Sequence, residues 1–200
     1  ENDHANAKGD TNERPELVVV GSGNLGGIWF ARHDAHMSAE EIEAQWPHLL
    51  TGLARHPGIS FVVVTSEANG PVAIGAQGVV NLRTGEVHGL NPLEPFGDQA
   101  RIDMLRVATF DNAPDIYVNS MYDKQTDEVA AFEELVGCHG GVGGWQTRAV
   151  LLHPTDWAIS EELLDADGRL VSAETVHRQM VGWLEQLGHR RNLAQAQAES

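Results

Sequence analysis

The sequence has few of the residues that nucleic-acid-binding, disulfide-linked or membrane-spanning proteins need. Its 200 residues include 13 Lys and Arg against 29 Asp and Glu, which gives a formal net charge of −16. This balance argues against nucleic-acid binding and against docking on an anionic membrane, because both need a basic face. A single cysteine, Cys138, excludes an internal disulfide framework. No apolar run approaches the roughly 20 residues of a transmembrane helix.

The hydrophobic residues, 42% of the chain, are sufficient for a sizeable core. Residues 1–14 are polar and predict a flexible lead-in, and residues 189–200 predict a disordered tail. Between them we expect a single α/β domain over residues 15–188. The chain begins with Glu1 rather than Met, which favours a cut or processed piece of a longer protein.

Strand and helix patterns alternate along the chain. Ser38 and Glu41 form a capping-box pattern at the start of one predicted helix. Residues 17–20 are apolar and β-branched, which predicts a buried strand. The alternation predicts an α/β fold with a mixed, mostly parallel sheet flanked by helices, plus a small β-hairpin patch near residues 72–88. Strands are predicted at 17–20, 28–31, 59–64, 115–119 and 150–152, and helices at 38–54, 98–108 and 173–187.

Residues 18–26 fit a strand followed by G-x-G-x-x-G, the fingerprint of dinucleotide-binding folds. That fingerprint requires a helix directly after the glycines, so that the helix N-terminus meets the pyrophosphate. Here residues 28–31 are Ile-Trp-Phe-Ala, which predict a returning strand. We therefore favour a Gly-Asn turn between two strands. A nucleotide-binding oxidoreductase is kept as an alternative.

Histidines supply the candidate metal ligands. His33 and His36 are three residues apart, but no third ligand lies near them in the sequence, which favours a solvated loop. The strongest candidate is residues 137–144, where five glycines surround Cys138 and His139. A His on such a loop can ligate a metal while nearby backbone N–H groups meet an anion. The alternatives are a flexible glycine loop with an incidental His and, for Cys138, a buried and unreactive thiol.

Five segments of the sequence stand out together: Val20–Leu25, His56–Ile59, Ala73–Gly78, Asn112–Ile116 and Ala131–Gly141. They resemble the C-terminal part of an alkaline phosphatase superfamily catalytic domain. The resemblance covers about residues 17–157, and its most specific part is the His-Gly-Gly sequence at 139–141. Within the superfamily the chain is similar to the phosphodiesterase and nucleotide pyrophosphatase branch, and there to bacterial membrane-associated members labelled "phage holin family".

The resemblance implies a site with two divalent metals, commonly zinc, held by Asp and His side chains. The metals activate a Ser or Thr nucleophile and stabilise the phosphoryl oxygens during in-line displacement. A late Gly-flanked His ligates one metal in the family, and His139 matches that position. The implied loop near the substrate or anion comprises Gly140, Gly141, Gly143 and Gln146. Asp3-His4 is similar to the family's Asp-His ligand pair, but Ala5 stands where a Gly is usual, so no role is assigned to that pair.

One imidazole is not enough for the implied site, because catalytic zinc uses three protein ligands plus water. We therefore expect an incomplete alkaline-phosphatase-like domain: the C-terminal part of a metal-dependent phosphoester hydrolase. It would be inactive alone, would need the upstream half of the domain, and would act on a small phosphoester. The alternative is a non-catalytic binding or assembly module, with Trp145 and Trp157 marking its contact surface.

Overall fold

The computed structural model describes residues 15–134 and 137–190. The predicted lead-in at 1–14, with Asp3-His4, lies outside the described residues, as does the predicted tail from 191 onwards. The chain divides into two compact units, Glu1–Ala149 and Val150–Ser200. Each unit is described by itself.

The first unit is built on a seven-stranded sheet in which every neighbouring pair of strands is antiparallel. The order across the sheet is β1-β2-β7-β3-β4-β5-β6. A two-stranded sheet, β8-β9, follows β7 in the chain. The strands are β1 Val18–Ser22, β2 Leu25–Trp29, β3 Ile59–Ser66, β4 Gly70–Gly75, β5 Gly78–Asn81, β6 Val87–Gly89, β7 Ile116–Ser120, β8 Tyr122–Asp123 and β9 Glu128–Val129.

The prediction of a mostly parallel sheet is wrong, although the α/β class and the hairpin patch are confirmed. The links β1–β2, β3–β4, β4–β5 and β5–β6 are too short for the crossover that parallel neighbours require. Strands β2 and β3 do run in the same direction, and helices connect them. However, β7 lies between them and is antiparallel to both. The sequence pattern thus correctly indicated a helical crossover between two parallel strands, β2 and β3. These two strands are not neighbours in the sheet.

The helix predicted over residues 38–54 is two helices. Its start is confirmed: the Ser38 hydroxyl accepts the Glu41 N–H, and the Glu41 carboxylate accepts the Ser38 N–H. The break falls at Pro47, which has no N–H to donate, and at His48, whose φ is 72°. The helices of the described residues are α1 Ala39–Gln45, α2 Leu49–Arg55, α3 Gln99–Ala108 and α4 Ala173–Gln186, with 3₁₀ turns at Glu94–Phe96, Gly144–Thr147 and Glu161–Leu163.

The sheet is covered on both faces, and the alternation of β3 divides the core in two. Val62 packs with Ile42 of α1 on one face. Phe61 and Val63 pack with Met104 of α3 on the other. Because successive strand residues point to opposite faces, the near-continuous apolar run of β3 fits a central strand buried on both sides.

Two strand predictions are corrected: the burial predicted for residues 17–20 is wrong, and so is the short strand predicted at 150–152. Strand β1 exists, but Val19 and Val20 are 64% and 51% exposed, because β1 is the edge of the sheet. Residues 150–152 form no strand, and Val150 and Leu152 are among the most exposed apolar side chains. An apolar run indicates that a segment is suited to burial. Whether another element covers that segment depends on the rest of the fold.

Asp115, immediately before β7, fixes the link between β2 and α1. Its carboxylate is 7% exposed. One oxygen accepts the Phe30 N–H at 2.8 Å, and the other accepts the Met37 N–H at 2.7 Å. Both ends of the loop between these residues are thereby tied to a single buried charge.

We expect Asp115→Ala to lower the free energy of unfolding by about 3 kcal/mol, because two buried N–H groups lose a charged acceptor. The measurement is urea unfolding followed by tryptophan fluorescence. Asp34→Ala is the matched control, since Asp34 is exposed in the same loop and should change stability by no more than about 0.5 kcal/mol. Equal stabilities for the two variants would contradict the assigned role of Asp115.

The second unit, described to residue 190, contains α4 as predicted. Ser172 caps the helix by accepting the Thr175 N–H. Trp183 is buried against Trp157, with ring centroids 5.5 Å apart, and its indole N–H donates to the carbonyl of Ala158 at 2.8 Å. No helix among the described residues is long and apolar enough to cross a membrane.

Candidate functional site

The first element of the candidate site is the tight turn between β1 and β2. Ser22 pairs with Leu25, so Gly23 and Asn24 alone form the turn, and Gly23 has a φ of 59°. A glycine with positive φ at the first turn position is typical of a type II′ hairpin. The predicted Gly-Asn turn is confirmed. A strand follows the glycines where a dinucleotide site would need a helix, so residues 21–26 are not that fingerprint.

The loop that carries His139 passes directly over this turn. The carbonyl oxygen of His139 accepts the Asn24 N–H at 3.1 Å. A Cβ at Gly23 would overlap that carbonyl oxygen, so only glycine permits the approach. The His139 side chain itself is exposed. The loop therefore holds the backbone of His139 against the hairpin while the residue stays exposed to solvent.

Two buried asparagines hold the glycine loop onto the sheet. Asn24 and Asn119 are 0% and 1% exposed. The Asn24 side chain accepts the Gly141 N–H at 2.9 Å and donates to the Val142 carbonyl at 3.0 Å. The Asn119 side chain accepts the Val142 N–H at 2.9 Å and donates to the same carbonyl at 3.3 Å. The glycine loop, for which a flexible loop was one of the alternatives, is thus hydrogen-bonded to the sheet at Gly141 and Val142.

The residues predicted to lie near a substrate or anion, Gly140, Gly141, Gly143 and Gln146, lie where the glycine loop contacts Asn24 and Asn119. Gly140 and Gly143 have φ values of 91° and 101°, which other residues rarely adopt. A Cβ on Gly141 would overlap the amide of Asn119. The Gln146 amide N–H₂ group donates to Asn24 Oδ1 at 3.0 Å and to the Gly143 carbonyl at 2.9 Å. The buried Gln146 Oε1 has no donor among the described residues.

Two backbone N–H groups of the loop, those of Gly141 and Val142, already donate hydrogen bonds within the fold. Their acceptors are asparagine side-chain oxygens. Glu133, which precedes the loop, accepts the Gly23 N–H at 2.8 Å. Any anion contact of this loop therefore depends on residues other than Gly141 and Val142, and the role of Gly140 and Gly143 there stays a prediction.

Cys138, next to His139, is half-buried. Burial raises the pKa of its thiol, and the negative charge of Glu133 raises it further, while a hydrogen bond from the His139 backbone acts in the opposite direction. A raised pKa disfavours the thiolate, the form that ligates metals and attacks electrophiles. Cys138 is therefore a weak candidate for a second ligand.

The described residues do not by themselves form a metal centre. Within residues 15–134 and 137–190, no three His, Cys, Asp or Glu side chains are grouped closely enough to hold an ion. His139 offers one outward imidazole, which fits a single ligand position. His33 and His36 are exposed in a loop, as predicted, with His36 Nδ1 3.6 Å from Asp115.

Tyr122 and Asp127 lie beside the end of the glycine loop, where a Cβ on Gly144 would come close to the Asp127 carbonyl oxygen. The Tyr122 hydroxyl donates to Asp127 Oδ1 at 2.8 Å, and Arg148 lies 3.4 Å from the same carboxylate. The hydrogen bond to Asp127 raises the pKa of Tyr122, with burial and the charge of Asp127 adding to it and Arg148 opposing it. Because the folded-state pKa is raised, this interaction stabilises the protein below the ordinary tyrosine pKa and is lost at higher pH.

We expect Asp127→Asn to lower the pKa of Tyr122, because a neutral amide accepts the Tyr122 hydroxyl more weakly than the carboxylate does and also removes the negative charge beside the tyrosinate. Asparagine suits this position, whose φ is 58°. The protein has two tyrosines, so a Tyr117→Phe background leaves Tyr122 alone in a titration of tyrosinate absorbance. An unchanged midpoint in the Asn variant would contradict the assigned cause.

The residues that sequence analysis missed are the two asparagines. Asn24 was interpreted only as a turn residue, and Asn119 as part of a strand. The two lie 95 positions apart in the chain, 119 − 24 = 95, and both reach Val142. No local pattern signals such a contact, because it depends on β2 and β7 being neighbours.

Comparison with known proteins adds no assignment. No family model matches the chain, and no curated protein or solved structure matches it significantly.

Proposed function

We propose that this chain contributes one metal ligand, His139, to a metal-dependent phosphoester hydrolase of the phosphodiesterase and nucleotide pyrophosphatase type. The nucleophile and the other ligands would lie outside the described residues. The chain would then be the C-terminal part of an alkaline-phosphatase-like domain. The observation that carries the proposal is an exposed imidazole on a backbone that buried hydrogen bonds hold in place.

The rigidity of the loop supports a ligand role. An exposed loop without a function needs no fixed geometry, and glycine makes ordering it costly in entropy. Here the buried residues Asn24 and Asn119 form hydrogen bonds with residues 139–142. A metal ligand must be held within about 0.5 Å of its working position. The bonding around His139 suits that requirement better than it suits a surface loop.

The exposed edge strand β1 supports the proposal that part of the domain lies outside the described residues. Val19 and Val20 point to opposite faces of β1, and both are largely exposed. Natural edge strands are usually protected by charge, and the sequence of β1, Val-Val-Val-Gly-Ser, contains none. Apolar residues on both faces are typical of a strand inside a sheet. The turn that contacts the His139 backbone ends this same strand, so a segment covering β1 would end close to the His139 loop.

The chemistry of the complete site follows from its class. When bound, the divalent metals activate the nucleophile and neutralise charge on the phosphoryl oxygens. The residues of this chain orient one imidazole through its backbone and exclude water from the hydrogen bonds beneath it. The acidic charge of the chain gives no attraction for a phosphoester. Substrate binding in this proposal therefore depends on the metals.

The test uses the protein as its source produces it. Its mass and the coding sequence upstream of Glu1 are determined first. Hydrolysis of a chromogenic phosphodiester is then measured with zinc or manganese, and again after chelation. We expect a product well above 21.7 kDa, with an upstream Ser or Thr nucleophile, whose activity chelation abolishes. The 200-residue chain is the inactive control.

A native product of 21.7 kDa without metal-dependent hydrolysis would refute the enzyme assignment. It would favour the alternative, a binding or assembly module. One observation fits that alternative: Trp145 is 70% exposed, with the Arg148 guanidinium 5.1 Å from its ring centre. Trp157, the other predicted contact residue, is half-buried and packs on Trp183.

A further inference from the structure

We propose that a groove in the first unit binds a small uncharged apolar molecule, of the class of medium-chain alcohols, ketones and esters. The groove lies between α2 with the residues that follow it, up to Ile59, and residues 130–132 on the other side. It encloses about 580 Å³, a volume typical of small-molecule sites. Two turns of a helix about 10 Å across would already occupy about 850 Å³, so the groove is too small for a helical partner.

Both walls of the groove are held in place by the fold. The Ala130 N–H donates to the Met121 carbonyl at 3.0 Å, and the Phe132 N–H donates to the Gly23 carbonyl at 2.7 Å. The opposite wall is formed by half-buried apolar side chains that also pack against the core: Leu49, Leu53 and Ile59. Because the groove is already formed, a ligand that enters it pays little to order the protein.

Gly52 keeps the groove open on the side of α2. It lies inside the helix and does not have a positive φ, so its backbone conformation does not require glycine. A Cβ there would meet nothing within 4 Å, so packing does not require glycine either. Glycine is nevertheless less favourable than alanine at such a position. What the missing side chain provides is open space in the groove.

His56 gives the groove a hydrogen-bond donor. Its Nδ1 accepts the Gly58 N–H at 3.1 Å, so the neutral imidazole carries its proton on Nε2. That N–H makes no hydrogen bond to another of the described residues. It can therefore donate to the oxygen of an alcohol, ketone or ester whose apolar part lies along Leu49 and Leu53.

The charges around the groove favour an uncharged ligand. Among the described residues that line it, none is Asp, Glu, Lys or Arg. Glu43 accepts the backbone N–H of His48, one of the lining residues, at 2.8 Å, and the chain has a formal net charge of −16. These negative charges disfavour a carboxylate ligand. The donor on His56 disfavours an ammonium group, which has no lone pair to accept it.

The measurement is a fluorescence titration of the 200-residue chain with Nile red, an uncharged apolar dye that carries a carbonyl group. We expect saturable binding of one dye per chain, which octan-1-ol displaces. Octanoate and octylammonium should displace the dye several-fold more weakly than octan-1-ol does. Stronger displacement by either ion would overturn the uncharged ligand class.

Gly52→Leu is the variant that tests the place of binding. It should weaken Nile red binding by about tenfold or more, because the new side chain fills the groove. Gly182→Leu is the matched control: Gly182 lies in α4 of the second unit, and a Cβ there also meets nothing within 4 Å. Neither variant should lower the thermal midpoint, since leucine favours helix over glycine. Equal dye affinities for the two variants would refute the site.

His56→Phe tests the donor. It keeps a ring of similar size and removes the N–H, so octan-1-ol should bind about fivefold more weakly. Unchanged binding of octan-1-ol would overturn the assignment of an oxygen-bearing ligand.

Two other occupants of the groove are outcomes of the same experiment. If the 200-residue chain binds Nile red but the protein produced by its source does not, another segment of that protein covers the groove. If dye binding falls as the chain forms dimers at higher concentration, a second copy covers it. Either result would overturn the small-molecule assignment. None of these readouts involves hydrolysis or His139, so failure here and failure of the proposed function are distinguishable.

Discussion

Replacing His139 by alanine in the full-length protein is expected to lower metal-dependent phosphodiester hydrolysis by about 100-fold or more. The reason is that a residue which merely orients a ligand is worth about 10- to 100-fold, so the ligand itself should be worth at least as much. The fold should be nearly unaffected, because the imidazole is exposed and the bonds that hold the loop come from its backbone. The measurement is turnover of a chromogenic phosphodiester at saturating zinc, together with the thermal midpoint.

The matched control is His33→Ala. His33 is also exposed and lies in the same unit, in the loop that sequence analysis weighed as a metal site. We expect its replacement to leave turnover unchanged. Unchanged turnover in His139→Ala would contradict the proposal, because His139 is the only metal ligand that it assigns to this chain. An equal loss in both variants would indicate a general effect of removing surface histidines.

Replacing Gly23 by alanine is expected to destabilise the first unit by about 4 kcal/mol, for two separable reasons. The first is the positive φ of Gly23, which costs a residue with a Cβ about 1–2 kcal/mol. The second is the overlap between that Cβ and the His139 backbone, which forces the loop off the hairpin. Displacing the loop breaks buried hydrogen bonds at Asn24, each worth about 1 kcal/mol or more.

Gly97→Ala separates the two contributions. Gly97 also has a positive φ, 83°, but a Cβ there would meet nothing within 4 Å. Its replacement should cost only the backbone strain of its extended positive-φ conformation, φ 83° and ψ 173°, which is about 1–3 kcal/mol. Urea unfolding measures both variants, and hydrogen exchange at the Gly141 amide reports whether the loop has separated. Equal costs for the two alanine variants would mean that the contact between Gly23 and His139 contributes nothing.

The structure changes how the glycine-rich segment is understood. Five glycines among eight residues suggest freedom of movement, yet the segment is hydrogen-bonded to Asn24 at the His139 carbonyl and again at Gly141. Gly23 and Gly141 are required because two backbones, or a backbone and an amide, come closer than a Cβ allows. Glycine here permits close contact, and close contact is what fixes the loop.

Local features were predictable from the sequence because their causes are local. The capping box at Ser38, the Gly-Asn turn and the hairpins from β4 to β6 each depend on a few neighbouring residues, and all three are confirmed. The helix break at Pro47 was within reach of the same reasoning, since the missing N–H is a property of the residue. It was missed because helical spacing continues through it in the apolar positions.

The direction of the strands was not predictable in this way. Alternation of strands and helices indicated parallel neighbours, and a helical crossover does connect β2 to β3. The intervening position is filled by β7, which begins about 50 residues after β3 ends, and nothing in either segment specifies that insertion. The burial of β1 failed for a related reason. Its apolar sequence is suited to a sheet interior, but it lies at the edge of this sheet.

The sequence alone determined the acidic charge, the absence of a disulfide framework and the α/β class, and it predicted His139 as the strongest of several candidate ligands. These follow from composition and from residue types, which need no contacts to be known. Only the tertiary structure decided the antiparallel sheet and the buried asparagines that bind the His139 loop. The reason is physical: Asn24, Asn119 and Val142 meet only because β2 and β7 pair, and hydrogen bonds between distant segments leave no periodic trace in the chain.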